Sequence, residues 1–276
     1  MTRAADETRT WFITGASRGL GRAFTEAALA AGDRVVGVAR DVTPLAELAA
    51  AADGRLVTFP LDVADRAAVF AGVRKAFEAF GRLDVVVNNA GGVVLGMLEE
   101  LTEQQAREHL DVNFFGALWV SQAVVPLLRE QGSGHILQVS SMGSAGGFAA
   151  TGVYGAGKAA LDAMTEALAM EVERFGIAVT ILQPGGYETG LFTSGLTMTE
   201  QNPAYAELRA WLEQMWSESK DADPAQAAEV VLRIVDMAEP PKRVILGDAA
   251  FGMVADLTAA RTAELAKWEH LSRQAG

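Results

Sequence analysis

Short apolar runs alternate with alanine-rich amphipathic segments along most of the chain, and this alternation restricts the fold more than any other feature. WFIT (11–14), RVVGVA (34–39), a strand within RLVTFPLDV (55–63), LDVVVNNAG (83–91), GHILQVSS (134–141), IAVTILQPG (177–185) and KRVILG (242–247) read as strands. RAFTEAALAAG (22–32), PLAELAAAA (44–52), RAAVFAGVRKAFEAFG (66–81), residues 103–130 and GVYGAGKAALDAMTEALAMEVERFG (152–176) read as helices. The strand runs lack polar alternation. A strand that is apolar on both faces belongs in a parallel sheet with helices on both sides. The expected fold is therefore α/β, a single-domain doubly wound parallel sheet with helices on both faces. The 276 residues suffice for one such domain, and no linker, repeat or low-complexity segment interrupts them.

Composition excludes several kinds of chemistry. No cysteine is present, so disulfides and thiolate ligands are ruled out. His109, His135 and His270 lie far apart without metal-ligand spacing and read as structural or surface residues. The net charge of −12 argues against nucleic acid and anionic membranes. MTRAADETRT at the start has no apolar core of a signal peptide, and the apolar runs are broken by Gly, Pro or charge before they could span a bilayer. The expectation is a cytoplasmic protein.

TGASRGLG (14–21) lies between the first strand and the first helix. Gly15, Gly19 and Gly21 follow G-x-x-x-G-x-G spacing, which lets backbone amides and a helix N-terminus approach a pyrophosphate. Arg18 lies inside the turn, and Arg40 follows the second strand where an acidic residue would bind a ribose 2′-hydroxyl. Two guanidinium groups suit a 2′-phosphate, so NADP(H) is preferred over NAD(H), with Asp41 as the opposing charge.

TGASRGLG (14–21), LDV (61–63), NNAG (88–91), Asn113 in DVNFFG, the serines at 140–141, YGAGK (154–158) and QPG (183–185) occur together and in this order. In this set the chain resembles the short-chain dehydrogenases/reductases, from about residue 10 to 190. The resemblance implies a Rossmann-type domain and a catalytic set of Asn113, Ser141, Tyr154 and Lys158. Ser141 is chosen over Ser140 because it stands thirteen residues before the tyrosine. By the same resemblance Gly15, Ser17, Arg18, Gly19, Leu20, Gly21, Arg40, Asp62, Val63, Asn89, Ala90, Gly91, Tyr154, Lys158, Pro184, Gly185 and Thr189 bind the cofactor. Asp62 approaches the adenine, Asn88 to Gly91 line the cofactor and brace the sheet, and Pro184, Gly185 and Thr189 touch the nicotinamide end. The chain departs from the family pattern at Gln183, where Asn is frequent, and at Gly186–Tyr187, where an aliphatic residue is common.

Tyr154 and Lys158 are four apart on a helix and so share a face. A free phenol titrates near 10, and a neighbouring ammonium is expected to lower it toward neutral pH for general acid/base work. Ser141 would polarise the substrate oxygen. The implied activity is interconversion of a ketone or aldehyde with an alcohol by hydride transfer. The rival readings are a non-catalytic NADP(H) redox sensor and a sugar-nucleotide epimerase or dehydratase.

Residues from about 186 to 222 read as a substrate lid, with Tyr205, Leu208, Leu212, Met215 and Trp216 at helical spacing. Ordinary core packing explains that stripe equally well. The lid implies a small-molecule substrate with an apolar body. Met142 and Phe148 are the bulky members of a second wall, and Asp223 with Pro224 marks the next helix start. The tail, about 248–276, reads as a helical extension over the cleft or at an oligomer interface. A homo-oligomer, dimer or tetramer, is expected.

Overall fold

The computed structural model of the chain describes residues 8–191, 195–217 and 220–275. The polar stretch 1–7, and positions 192–194 and 218–219 of the expected lid, lie outside the described residues. The elements run β1 (Thr10–Thr14), α1 (Gly19–Ala30), β2 (Arg34–Ala39), α2 (Ala46–Ala51), β3 (Leu56–Pro60), α3 (Arg66–Phe80), β4 (Val85–Asn88), β5 (Val93–Leu95), α4 (Glu103–Leu110) and α5 (Gly116–Gln131). They continue as β6 (Gly134–Val139), α6 (Gly152–Val172), β7 (Ile177–Pro184), β8 (Leu196–Met198), α7 (Ala206–Ser217), α8 (Pro224–Val235), β9 (Arg243–Leu246), α9 (Asp248–Lys267) and α10 (Glu269–Ser272).

Among the described residues, seven strands form one sheet in the order β3-β2-β1-β4-β6-β7-β9, and every pairing is parallel. The sheet is of the Rossmann type, as the strand–helix alternation implied. Successive side chains leave a strand on opposite faces. Trp11 and Ile13 accordingly pack with Phe24, Ala28 and Val231 of α1 and α8, whereas Phe12 packs with Val69, Val73 and Val120 of α3 and α5. Both faces being covered is why the strands read as unbroken apolar runs.

Local signals set the helix ends. The Asp65 carboxylate accepts from the Ala68 amide at 3.0 Å at the start of α3, and Gly81 ends that helix with φ of 74°. Asp223 caps α8 by accepting from the Ala225 amide at 2.8 Å, with Pro224 in the first turn.

Three expectations change. The helix expected over 103–130 is α4 and α5 joined by a π turn, Asp111–Phe115, in which the Gly116 amide bonds the carbonyl of Asp111. The resulting run, residues 103–131, is long and apolar enough by length and composition to cross a bilayer, because Pro126 sits inside α5 without ending it. Val120, Val124 and Leu128 on this run are buried against the sheet. The sequence reading also missed β5 and β8, three residues each, which pair parallel to one another apart from the main sheet.

Leu128 is fully buried and packs against the position of Gly134, where a β-carbon would meet its side chain at 2.9 Å. A Leu128→Ala variant is expected to lose about 2–5 kcal/mol of stability, read as a lower urea midpoint with an unchanged slope.

Candidate active site

The strand order reverses at β1, which pairs with β2 on one side and β4 on the other. Ligand crevices in open α/β sheets form outside the carboxyl ends of the strands at such a switch point. A cleft of about 1790 Å³ opens there. Its floor is the turn after β1. Gly15 has φ of +65°, and a β-carbon on it would lie 2.9 Å from the Ala90 α-carbon. Gly21 is packed still closer, since its β-carbon would fall 2.2 Å from the Gly15 carbonyl oxygen. Asn89 locks the two loops together by donating to the carbonyls of Thr14 at 2.9 Å and Gly15 at 3.2 Å.

Of the residues singled out from sequence, Gly15, Ser17, Arg18, Gly19, Leu20, Arg40, Asp62, Val63, Asn89, Ala90, Gly91, Asn113, Ser141, Tyr154, Lys158, Pro184, Gly185 and Thr189 all line this cleft. Gly21 does not. It sits one layer back, where its lack of a side chain lets α1 close onto the turn. Asn88 is also behind the wall, its amide 3.4 Å from the Ser121 hydroxyl. Thr189, expected at the nicotinamide end, lies against Gly19 of the glycine turn, where a β-carbon would meet it at 2.7 Å.

Ser141 follows β6, and Tyr154 and Lys158 rise from the first turns of α6. The Ser141 hydroxyl accepts from the Gly143 amide at 3.0 Å and shares a hydrogen bond with the Tyr154 phenol. Ser140 instead turns its hydroxyl toward the Lys158 carbonyl at 3.4 Å. The buried Lys158 ammonium donates to the Val139 carbonyl at 2.9 Å. Asn113 projects from the π turn, an insertion that commonly re-aims a side chain at a functional site. Its amide donates to the His109 carbonyl at 3.1 Å, and its oxygen accepts from the Gly92 amide at 3.4 Å.

Burial raises the Tyr154 phenol above its ordinary value, and the hydrogen bond with Ser141 offsets part of that rise. This differs from the sequence expectation of a phenol lowered by Lys158. In the structure the ammonium is directed to Val139, and loss of water is the larger influence on the phenol. Burial lowers Lys158 to about 8, opposed by the charge of Asp162, so the amine remains an ammonium at neutral pH.

Sequence reasoning passed over His109 at this site. It is buried, its ring 5.8 Å from that of Tyr154 and edge-on to it, and its Nε2 has no partner among the described residues. Nothing in the spacing of three scattered histidines marked it. Burial, with the Lys158 charge acting in the same direction, lowers it to about 4.

Part of the remaining cleft wall is apolar, beside the charged residues Glu188, Lys220, Asp221 and Asp248. Leu95, Met142, Phe148, Trp211, Met215 and Trp216 line it, and α9 adds Ala250 and Met253. Tyr205 and Leu208 of the expected stripe are not part of the wall, whereas Trp211, not on that stripe, is. Glu100 anchors the covering segment. It accepts from the Met97 amide at 2.8 Å, the Thr199 hydroxyl at 2.9 Å and the Asn202 amide at 2.8 Å, and pairs with Arg209. Among the described residues, no group of three or more His, Asp or Glu is placed to hold a metal.

A parallel α/β sheet with a glycine turn at its switch point, and with a serine, a tyrosine and a lysine converging beyond it, defines a dinucleotide-binding oxidoreductase scaffold. The family model for short chain dehydrogenase matches residues 9–199. The chain belongs to that family. It is 38% identical to oxidoreductase BOA17 of Botryotinia fuckeliana over 270 residues, 96% of this chain and 98% of that one. It is 33% identical to 3-ketodihydrosphingosine reductase of Bacteroides thetaiotaomicron over 240 residues, 85% of this chain and 86% of that one. A crystal structure of a short-chain dehydrogenase from Streptomyces avermitilis superposes with a TM-score of 0.92 at 38% identity, covering 98% of this chain and 99% of that one.

His109 and His135 are both lowered to about 4, chiefly by burial, against an ordinary value of 6.5. Between those values the unfolded chain binds protons that the native chain refuses. Stability is therefore fully present above pH 6.5 and declines as pH falls toward 4, on the order of 2–3 kcal/mol per histidine. Urea midpoints measured across this interval should fall, and His109→Gln should make the decline shallower. A flat midpoint would mean the imidazoles protonate freely in the fold.

Proposed function

We propose that this chain is an NADP(H)-dependent oxidoreductase that interconverts a ketone or aldehyde with its alcohol, using Tyr154 as general acid/base. The observation that carries the reading is the shared hydrogen bond of Ser141 and Tyr154 at the cleft wall, with a buried ammonium one turn further along the same helix. The chain acts as one domain, residues 186–222 as its lid and residues 248–276 as a C-terminal extension whose first turns, Asp248 to Met253, border the cleft.

The nicotinamide, when bound, supplies or accepts the hydride. The protein's part is to move a proton and hold charge. A phenol raised above its ordinary value is protonated at neutral pH, which suits donation to a carbonyl oxygen as that oxygen gains charge. The Ser141 hydroxyl steadies the same oxygen. The Ser141 hydrogen bond stabilises the phenolate left behind, the Lys158 ammonium one turn along α6 supplies a positive charge nearby, and the phenolate takes a proton back in the reverse direction. Asn113, stapled between the π turn and the loop after β4, completes the set.

Cofactor preference rests on three residues. Arg18 and Arg40 both line the cleft and both are exposed. Asp41, the acidic residue next to Arg40, is engaged in its own turn, where it accepts from the Thr43 amide at 2.9 Å and is lowered by that residue's hydroxyl. Two guanidinium groups at the cleft wall suit a 2′-phosphate. The apolar wall of Leu95, Met142, Phe148 and Trp211 suits a substrate with an apolar body. The relative named 3-ketodihydrosphingosine reductase agrees with a ketone as the reacting group.

Tyr154→Phe is expected to abolish NADPH oxidation with a panel of ketones while the circular dichroism spectrum stays that of the parent. Retained turnover would remove Tyr154 from the mechanism. Arg40→Ala is expected to raise the KM for NADPH roughly 10- to 100-fold, the worth of a charged hydrogen bond, and to change that for NADH little. An equal change for both cofactors, or faster parent turnover with NADH, would overturn the preference. Tight cofactor binding without oxidation by any carbonyl would favour a sensor.

A further inference from the structure

Asp162 stands one turn beyond Lys158 on α6, on the face that carries Tyr154 and Lys158. It is buried. Its Oδ2 is approached by the Ser144 hydroxyl at 2.8 Å, the Gln183 amide at 2.9 Å and the Arg243 guanidinium at 2.6 Å. These groups come from the turn that follows Ser141, from β7 and from the edge strand β9. The Gln183 amide also donates to the Ser144 oxygen at 2.7 Å, and that hydroxyl lies 2.7 Å from the Ser141 carbonyl. Arg243 pairs in addition with Glu166, one turn further along α6.

The backbone has no need of this carboxylate, because β6, β7 and β9 already pair through their own ladders. An ionised group out of water is costly unless it is paired and hydrogen-bonded, so such a cluster asks for a reason. Two effects reach the active site from it. The turn bearing Ser141 is tied to α6 through Ser144. A negative charge is also held beneath the Lys158 ammonium.

The groups facing Lys158 are few. Val139 contributes a carbonyl and Asn113 a neutral amide, and a β-carbon on Gly91 would meet both Asn113 and the Lys158 amine. His109 is neutral above about pH 4. Tyr154 is a protonated phenol at neutral pH. Asp162 is the charged group acting on the amine, with Arg243 on its far side.

We propose that Asp162 is a positioning residue for the active site, holding the Ser141 turn against α6 and keeping the Lys158 amine charged. The inference rests on the reading of Lys158 as the charged partner of Tyr154. Burial alone draws the amine down, and the Asp162 carboxylate holds it at about 8. Without that charge the amine would lose its proton nearer neutral pH, and the phenolate would lose its counter-charge. Gln183, where the family pattern often has Asn, is the residue whose longer reach joins β7 to this carboxylate.

The test reads the amine directly. The chain has five lysines, so isotope-labelled lysine side chains can be followed by NMR in the cofactor-free protein, and Lys158→Arg assigns the signal. In Asp162→Asn, which keeps the shape and removes the charge, the Lys158 titration should move down by about one pH unit. Asp162→Glu should retain the parent value. Ser144→Ala should leave the titration in place. Wherever the parent turns over a ketone, the alkaline limb of kcat/KM should shift with the amine in Asp162→Asn and stay fixed in Ser144→Ala, with kcat lowered. An unmoved Lys158 signal in folded Asp162→Asn overturns the inference. A parent without turnover would instead count against the proposed function, leaving the titration to decide the role of Asp162.

Discussion

Gly15 and Ala90 meet at a distance that leaves no room for a side chain, and the cleft exists because they do. The contact joins the turn after β1 to the loop after β4, at the one place where neighbouring strands send their connections to opposite faces. Asn89 and Thr14 supply the polar part of the junction. The Thr14 hydroxyl accepts from the amides of Asn89 and Ala90 at 3.0 Å each, and Asn89 returns bonds to the carbonyls of Thr14 and Gly15. Buried backbone groups left open by the departing strands are thereby satisfied. The floor is fixed by backbone spacing and not by long side chains, which leaves bare amides of the kind that suit a pyrophosphate.

The second constraint is electrostatic. A lysine held almost out of water is unfavourable unless something maintains its charge. Here one carbonyl and one carboxylate a turn away do so. The same lack of water raises the phenol beside it. Burial thus disfavours both charged forms and moves the two titrations apart, Tyr154 upward and Lys158 downward, and the balance depends on groups outside the set itself.

Much of this was legible in the sequence, for physical reasons that differ from element to element. The strands were visible because both faces of the sheet are covered, so β1, β4 and β6 carry unbroken apolar runs. Helix ends at Gly81 and Asp223 were visible because capping chemistry is local. The cleft residues were visible because short motifs follow strand ends. The π turn around Asn113 was not, since DVNFFG has no feature that separates a π turn from ordinary helix. The pairing of β5 with β8 joins residues about a hundred apart, beyond any local signal. The lid stripe was half right because helical spacing gives a face but not its direction. Leu212, Met215 and Trp216 reach the cleft, while Tyr205 turns to Glu99.

The two halves of the cleft are held by different forces, and this bears on how such a scaffold changes substrate. The floor is knit by parallel ladders and amide-to-carbonyl bonds, so a substitution there disturbs the sheet itself. The cover is fastened by side chains: the Glu100 carboxylate gathers Thr199, Asn202 and Arg209, and β8 adds only three paired residues. Arg209 and its bonded neighbours hold Glu100 at about 2, so the fastening keeps its charge at any working pH. Trp211 and Met215, two and six positions beyond Arg209, line the cleft without anchoring anything. Substituting them would reshape the wall without touching the fastening or the floor. Under the proposed function, this division puts the reaction in the floor and in α6, and the choice of substrate in α7 and the start of α9.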